Sequence, residues 1–497
     1  MLNLVNIRNG WKDSMAYNER NIIGQKELKN IVSVSFSNIL ILISSLLVGF
    51  LIPKMMNVSD YGYYKIFSLY LGYVGLFHFG FCDGIYLLYG GKKFEELDKK
   101  KFRLYSKFLL IIEFFFSFLI TIFSILFVND EYSYIFLFVG LSLFTNNITS
   151  YYQFISQITD RFKELSNINI FKSTLTLITI VVLWLLFKVN YFSFLQYKLY
   201  LCIYTLINLV VTFWYMYKYK DITFGKSLTF CDNKKEIFNI FKIGVPLLIT
   251  NLINTFILLI DRQFVSLLFT NEEYAVYAFA YSLISFITTA LHSVGTVLYP
   301  TIKSSDEDTL KLQYNKLNSI ISIFVALCLL SYFPLIWIIN WFLPNYVGSL
   351  SFFRIILPGL IFSTCNSVVI YNYYKSLNMT NKYFGVSIFI LVFSIIANIL
   401  VYSCFGTMES ISIASVIVLG LWYFVVELII VKKWKINTIK NGLFMVLSTI
   451  SFYLITMIES VFIGMILYGV ILVVLIVSLY FPLLKEGIKL LKSKFKK

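Results

Sequence analysis

The sequence predicts an all-α integral membrane protein of about fourteen transmembrane helices, and three observations predict it. Of 497 residues, 59% are hydrophobic and only 14% charged, with a mean hydropathy of +0.78. A soluble domain is nearer half apolar and a quarter charged. The apolar residues come in runs of about 20, the length that crosses a ~30 Å hydrocarbon core as a helix. The cations are also sorted by side. With the N-terminus placed in the cytoplasm, 36 of the 42 Lys and Arg residues fall in cytoplasmic segments and 5 outside, and Arg262 sits within a helix. That is the positive-inside pattern. It accounts for the net charge of +16 without nucleic acid as a partner.

In chain order the expected spans are Ile31 to Ile52, Tyr63 to Tyr89, Leu104 to Val128, Tyr134 to Ser156, Ile168 to Phe187, Tyr197 to Tyr217 and Phe241 to Phe269. Then come Ala275 to Ile302, Leu317 to Leu343, Phe352 to Tyr374, Tyr383 to Cys404, Ile411 to Val431, Gly442 to Ile458 and Phe462 to Leu484. Lipid cannot satisfy open backbone groups, so spans are helices or a closed barrel; runs this long and continuously apolar mean helices. The expected organisation is a cytoplasmic segment over 1–30, a six-helix lobe over 31–217 and a basic cytoplasmic linker over 218–240. A second six-helix lobe follows over 241–404, then two last helices and a basic cytoplasmic tail over 405–497. The first thirty residues are polar and of mixed charge, so no cleavable signal peptide is expected. Six scattered cysteines, without a close pair or CxxC, suggest neither a disulfide framework nor a zinc site. No GxxxxGK[ST] loop is present, which argues against a nucleotide-driven pump.

A faint repeat links the halves. Asp60-Tyr61-Gly62-Tyr63-Tyr64 and Glu273-Tyr274-Ala275-Val276-Tyr277 stand 213 residues apart, and the same register pairs Tyr86 with Tyr299. An offset of six helices preserves orientation, as in transporters built of two parallel halves.

Polar side chains inside membrane helices are costly, so their clustering is informative. At 100° per residue, span 1 gathers Ser33, Ser37, Asn38, Ser44 and Ser45, and span 2 aligns Lys65, Ser68, Gly72, Gly75 and Asp83. Span 7 groups Asn251, Asn254, Thr255, Asp261, Arg262 and Ser266, and span 8 places Tyr281, Ser282, Ser285 and His292 on one face. Each serine alone reads as helix packing; the four faces together predict a shared polar cavity. Asp261 and Arg262 are the sharpest signal, because no acid or base lies three or four positions from either. A structural ion pair of Arg262 with Asp83 or Glu113, a gating or coupling role, and substrate contact are the open alternatives. Lys172 and Glu427 are expected to snorkel to the cytoplasm. Pro246 and Pro358 can hinge spans 7 and 10.

The order of several short motifs resembles the lipid-linked oligosaccharide flippases of bacterial capsule and O-antigen synthesis, in the multidrug/oligosaccharidyl-lipid/polysaccharide exporter superfamily. The carriers are Val58-Ser59-Asp60-Tyr61-Gly62, Phe79-Gly80-Phe81-Cys82-Asp83-Gly84, Lys242-Ile243-Gly244-Val245-Pro246-Leu247, Ile260-Asp261-Arg262 and Tyr299-Pro300. The resemblance implies two six-helix lobes around a cavity lined by helices 1, 2, 7 and 8. It implies movement of an undecaprenyl-diphosphate-linked repeat unit across the cytoplasmic membrane by alternating access. It implies no cofactor, with Na+ or H+ as the coupling ion, and no enzymatic activity. Lys65, Lys172, Arg262 and Arg354 are then the cations for the diphosphate. Asn38, Asn251, Asn254 and His292 join them as substrate-binding candidates, with Asp261, Asp83 and Glu113 for coupling or gating. Membrane lipids, a polysaccharide polymerase and chain-length machinery are the implied partners. Span 1 has no arginine and span 2 only Lys65, a departure from relatives that flip the peptidoglycan precursor. A cation exporter of the same superfamily is the alternative, which would require an acidic cavity. A polymerase or glycosyltransferase is disfavoured because its catalytic groups need a larger external loop.

Overall fold

The computed structural model describes residues 36–303 and 306–494, with the side chains of 290–301, 303, 484 and 486–494 outside the description. Among the described residues the chain is helical, without strands. The helices in chain order begin with α1 (Phe36–Met55) and α2, whose two arms, Val58–His78 and Phe81–Tyr89, meet at 60°. They continue with α3 (Lys99–Phe127), α4 (Asp130–Ile158), α5 (Phe162–Lys188), α6 (Tyr197–Lys218), α7 (Lys234–Leu268) and α8 (Asn271–Lys303). After them come α9 (Glu307–Phe342), bent α10 (Ser349–Ile356 and Gly359–Ser376, at 47°), α11 (Thr380–Phe405) and α12 (Met408–Trp434), then α13 (Ile439–Ile455) and α14 (Val461–Lys494).

Among the described residues nine helices are long and apolar enough to cross a membrane, or eleven if each bent pair is one span. The protein is a multi-pass membrane protein, but that measure stops short of the expected fourteen. The reason is physical: α13 is short, and α4 carries buried Ser142, Thr145, Asn147 and Ser156 along its length. The parallel repeat has a structural counterpart. α1 and α7 end at Met55 and Leu268, and α2 and α8 start at Val58 and Asn271, both pairs at the spacing of 213 seen in the sequence.

The α2 break lies where the sequence places Gly72, Gly75 and Gly80. A short 3-10 stretch, Val74–His78, is followed by Phe79 and Gly80 in the left-handed region, at φ 48° and 78°. Glycine takes that conformation without the cost of a Cβ. The break aims the second arm against α7. There Gly80 and Gly84 meet Gly244 backbone to backbone, and a Cβ on Gly244 would clash with Gly80 O and lie 2.5 Å from Gly84 N. Helix α7 runs through Pro246 unbroken, so the expected hinge there is absent. The bend of α10 does fall at Pro358, which opens its second arm.

Helices α2 to α6 pack chiefly on one another, as do α9 to α14; α2 joins the two sets through α7 and α8. At the lysine-poor face, Asn271 Nδ2 donates to Ser59 O (2.7 Å) and Ser59 Oγ (3.1 Å). At the lysine-rich face, Glu236 Oε1 on α7 accepts from Lys101 Nζ (2.9 Å), Tyr105 Oη (2.8 Å) and Tyr89 Oη (3.1 Å). The contact between the sets is thus closed at both faces. Glu236→Ala removes the shared acceptor at a partly exposed site and is expected to weaken that closure by ~1 kcal/mol. Faster hydrogen exchange confined to the start of α7 is the readout, and unchanged exchange there would count against a latch.

Candidate functional site

Five helix stripes and the first arm of α2 enclose a cavity of about 540 Å³. On α1 the stripe is Ile41, Ser44, Ser45 and Val48; on α5 it is Asn169, Lys172, Ser173, Thr176 and Ile180; on α6 it is Tyr200, Ile203, Tyr204, Ile207 and Asn208. These are the three- and four-residue spacings that put side chains on one helix face. α2 adds Tyr61, Tyr64 and Lys65, α4 adds Gln153, and α8 adds Ser282, Ser285 and Phe286.

Among the described residues two lysines enter this space and no carboxylate lines it. Lys65 Nζ stands 5.2 Å from the ring centres of both Tyr61 and Tyr64, a cation–π arrangement. Tyr61 Oη is fixed in turn by Ser282 Oγ across the gap to α8 (3.1 Å). Lys172 does not snorkel to the membrane surface. It turns inward and donates to Asn208 Oδ1 on α6 (2.8 Å), because α6 offers an acceptor at that depth. Ser44, Ser45 and Thr176 donate to carbonyls of their own helices and keep lone pairs that can accept from a cargo. The cavity is therefore cationic, rich in hydroxyls and amides, and walled by tyrosine.

Asp261 and Arg262 form a separate cluster. Tyr277 Oη donates to Asp261 Oδ2 (2.8 Å), and Tyr281 Oη donates to the same oxygen. Arg262 lays its guanidinium 4.1 Å from the Tyr281 ring centre and donates to Leu258 O (2.7 Å). Neither Asp83 nor Glu113 partners it, which corrects the ion pair considered from the sequence. Asp83 lies 3.8 Å from His78 Nδ1 across the break in α2, and Glu113 on α3 accepts from Asn147 Nδ2 of α4 (2.8 Å). One oxygen of each, Asp83 Oδ2 and Glu113 Oε1, is buried without a hydrogen bond. Asp261→Ala strands two buried tyrosine hydroxyls and is expected to cost ~2 kcal/mol. Asp261→Asn keeps an acceptor and should cost less, as thermal unfolding in detergent would report.

Of the expected substrate-binding residues, then, the cavity unites Lys65 and Lys172. Arg262 is not among the lining residues; its guanidinium is held at Tyr281 and Leu258 O. Asn251 accepts from Tyr371 on α10 (3.0 Å), and Asn254, Asn38 and Arg354 are not among the lining residues. This cavity draws its lining from α1, α2, α4, α5, α6 and α8, and no residue of α7 is among the lining side chains. The side chain of His292 lies outside the described residues. Glu427, expected to snorkel, is buried and accepts from Tyr423 Oη (2.9 Å) and Asn318 Nδ2 (3.2 Å). The sequence reading missed Tyr61, Tyr64, Tyr200, Tyr204 and Asn208 as lining residues. The available signal was the i, i+3, i+4, i+7 recurrence of Tyr200, Ile203, Tyr204 and Ile207.

Residues 95–333 match the family described as polysaccharide biosynthesis protein. The lipid II flippase MurJ, in an inward closed conformation, superposes with a TM-score of 0.68 at 16% identity, over 92% of this chain and 100% of that one. An inward-facing multidrug resistance MATE family transporter of the MOP superfamily gives 0.58 at 13% identity, over 80% of this chain and 95% of its own. A MOP superfamily transporter from Pyrococcus furiosus, described as having a binding pocket of reverse polarity, gives 0.54 at 15% identity, over 82% and 97%. No curated protein sequence matches. This chain shares the fold of these solved structures, which are transporters.

Proposed function

We propose that the protein is a flippase that carries undecaprenyl-diphosphate-linked oligosaccharide repeat units across the bacterial cytoplasmic membrane, for capsule, O-antigen or exopolysaccharide synthesis. The observation that carries this reading is the cavity lined, among the described residues, by two lysines and no carboxylate. A diphosphate and its sugars cannot cross hydrocarbon unaided. A cationic pocket of hydroxyls and amides replaces their water, while the polyprenyl tail stays in lipid. In this proposal the lysine-rich face and both termini are cytoplasmic, and the two helix sets rock about α2 to expose the cavity to each side in turn. Glu113 and Asp83, each with an unpaired buried oxygen, are the residues we assign to H+ or Na+ coupling. A polymerase and chain-length machinery would take up the product. The same cavity speaks against a cation exporter, since Asp83, Glu113 and Asp261 all lie outside its lining.

The test is deletion of the gene in its host, with surface polysaccharide and lipid-linked intermediates followed together. Loss of polymer with complete single units trapped on lipid at the inner leaflet is the expected result. Intact polymer with new sensitivity to cationic drugs would replace the flippase with the exporter. Complementation by Arg262→Ala at normal abundance would make that residue structural; failure would place it in the transport step.

A further inference from the structure

We propose that the second set of helices holds a monovalent metal cation between α9 and α12, bound by the carboxylate of Glu427 and the side-chain oxygen of Asn318. The site lies apart from the cavity and from Glu113 and Asp83, and it stands whether or not the protein is a flippase.

Glu427 sits in α12 with 4% of its surface exposed. Its Oε1 accepts from Tyr423 Oη (2.9 Å), one turn earlier on the same helix, and from Asn318 Nδ2 of α9 (3.2 Å). Asn318 Nδ2 also donates to Tyr423 Oη (2.6 Å). The three side chains close a triangle in which both partners of the carboxylate are neutral. Among the described residues no cation forms a salt bridge with Glu427. Lys433, further along α12, is engaged by Glu307 at 2.8 Å. A carboxylate buried in a membrane protein without a countercharge is costly, and a positive charge brought to it removes that cost.

The surroundings offer oxygen lone pairs rather than charge. Asn318 is fully buried, and its Oδ1 has no hydrogen bond. One turn earlier on α9, Tyr314 Oη and Asn315 Oδ1 are likewise buried without a partner. Residues three and four apart share one helix face, and here that face meets α12. The Tyr314 ring packs on Trp434 (6.0 Å between centres), and Asn315 Nδ2 donates to Asn437 O (3.0 Å), just past the end of α12. A proton on Glu427 would add one donor and satisfy one such oxygen. A metal cation gathers several oxygens at once, with carboxylate and carbonyl groups in place of its hydration water. A single carboxylate sets the class at one positive charge, that of sodium and potassium; the bound ion would tie α9 to α12 within one set of helices, so its effect is on stability.

The experiment follows thermal unfolding of purified full-length protein in detergent, in mildly alkaline buffer with sodium, potassium or N-methyl-D-glucamine chloride at equal ionic strength. One of the alkali salts should raise Tm by ~2 °C or more over N-methyl-D-glucamine, and saturably, because a ligand of the folded state stabilises it by mass action. Glu427→Gln should remove most of that dependence, and Glu113→Gln should retain it. Asn318→Ala keeps the carboxylate and should raise the salt concentration for half effect at least ~10-fold, the scale of one contact to a charged group. Equal Tm in all three salts would overturn the site, and so would a response that Glu427→Gln retains in full. Stability that rises as pH falls and ignores the salt would put a proton there instead, which also overturns it. If Glu427→Gln does not fold, the wild-type salt series and Asn318→Ala decide.

Discussion

A methyl group at Gly244 should force the lysine-rich face open. In Gly244→Ala the new Cβ meets backbone, Gly80 O and Gly84 N, rather than a side chain that could swing away. Overpacking of this kind typically costs 1–3 kcal/mol, and here the cost falls only on the state in which α2 and α7 touch. The equilibrium should shift toward the open state by roughly 10- to 100-fold. Ile240 reports it: its side chain is buried, and its carbonyl faces Gly84. In a background without the native cysteines, Ile240→Cys should react slowly with an impermeant maleimide, and rapidly once Gly244→Ala is added. Transport should fall at least tenfold, because a carrier held open on one side cannot complete its cycle. Gly84→Ala, aimed at Ile240 O, should act in the same direction. Unchanged maleimide reactivity in both variants would mean that the contact is not a closing contact.

Reversing both cavity lysines should have the largest effect on cargo choice. Lys65→Glu with Lys172→Glu changes the formal charge of the lining from +2 to −2, in a setting where water screens little. Transport of an anionic lipid-linked cargo should drop more than 100-fold, on the scale of two lost charged hydrogen bonds together with new repulsion. Binding of a lipophilic cation, measured with a fluorescent quaternary ammonium, should appear where wild type shows none. Lys65→Arg with Lys172→Arg should keep the wild-type preference, because it keeps both charges. Retained anionic transport by the glutamate pair would place the cargo outside this cavity.

The all-helical membrane fold was legible because runs such as Thr380–Phe405 and Met408–Trp434 are nearly unbroken in apolar character. The site was less so. Rotation at 100° per residue assumes one continuous helix, yet α2 breaks between Gly72 and Gly80. Lys65 and Asp83, aligned on paper, therefore point into different surroundings: Lys65 to the cavity, Asp83 to His78. The charge of Lys172 was visible, but its inward turn depends on Asn208, 36 positions away, and no local rule connects the two. The polar face of α7 was read from genuine polar residues. Its members are consumed elsewhere: Asp261 by two tyrosines of α8 and Asn251 by α10. Polarity within a helix marks where hydrogen bonds will form, and tertiary packing decides with what.

The segment after α6 has a mechanical consequence. Arg103 and Lys107 on α3 tie it down through Asp221 O, Lys226 O and Gly225 O. Up to Ser227 the segment therefore travels with the first set of helices. Leu228 N still donates to Lys100 O (3.4 Å) and Phe230 stacks on Phe108 of α3 (ring centres 5.5 Å apart), so only the strip 231–233 leads on to α7 at Lys234, and Thr229–Asp232 and Asn233–Thr229 hydrogen bonds stiffen that stretch. The covalent joint is thus a clasp rather than a drive shaft: the packing between the halves runs through α2, and the strip keeps them in one molecule. A chain cut between Cys231 and Asp232, with its two fragments made together, should reassemble in the membrane and still transport.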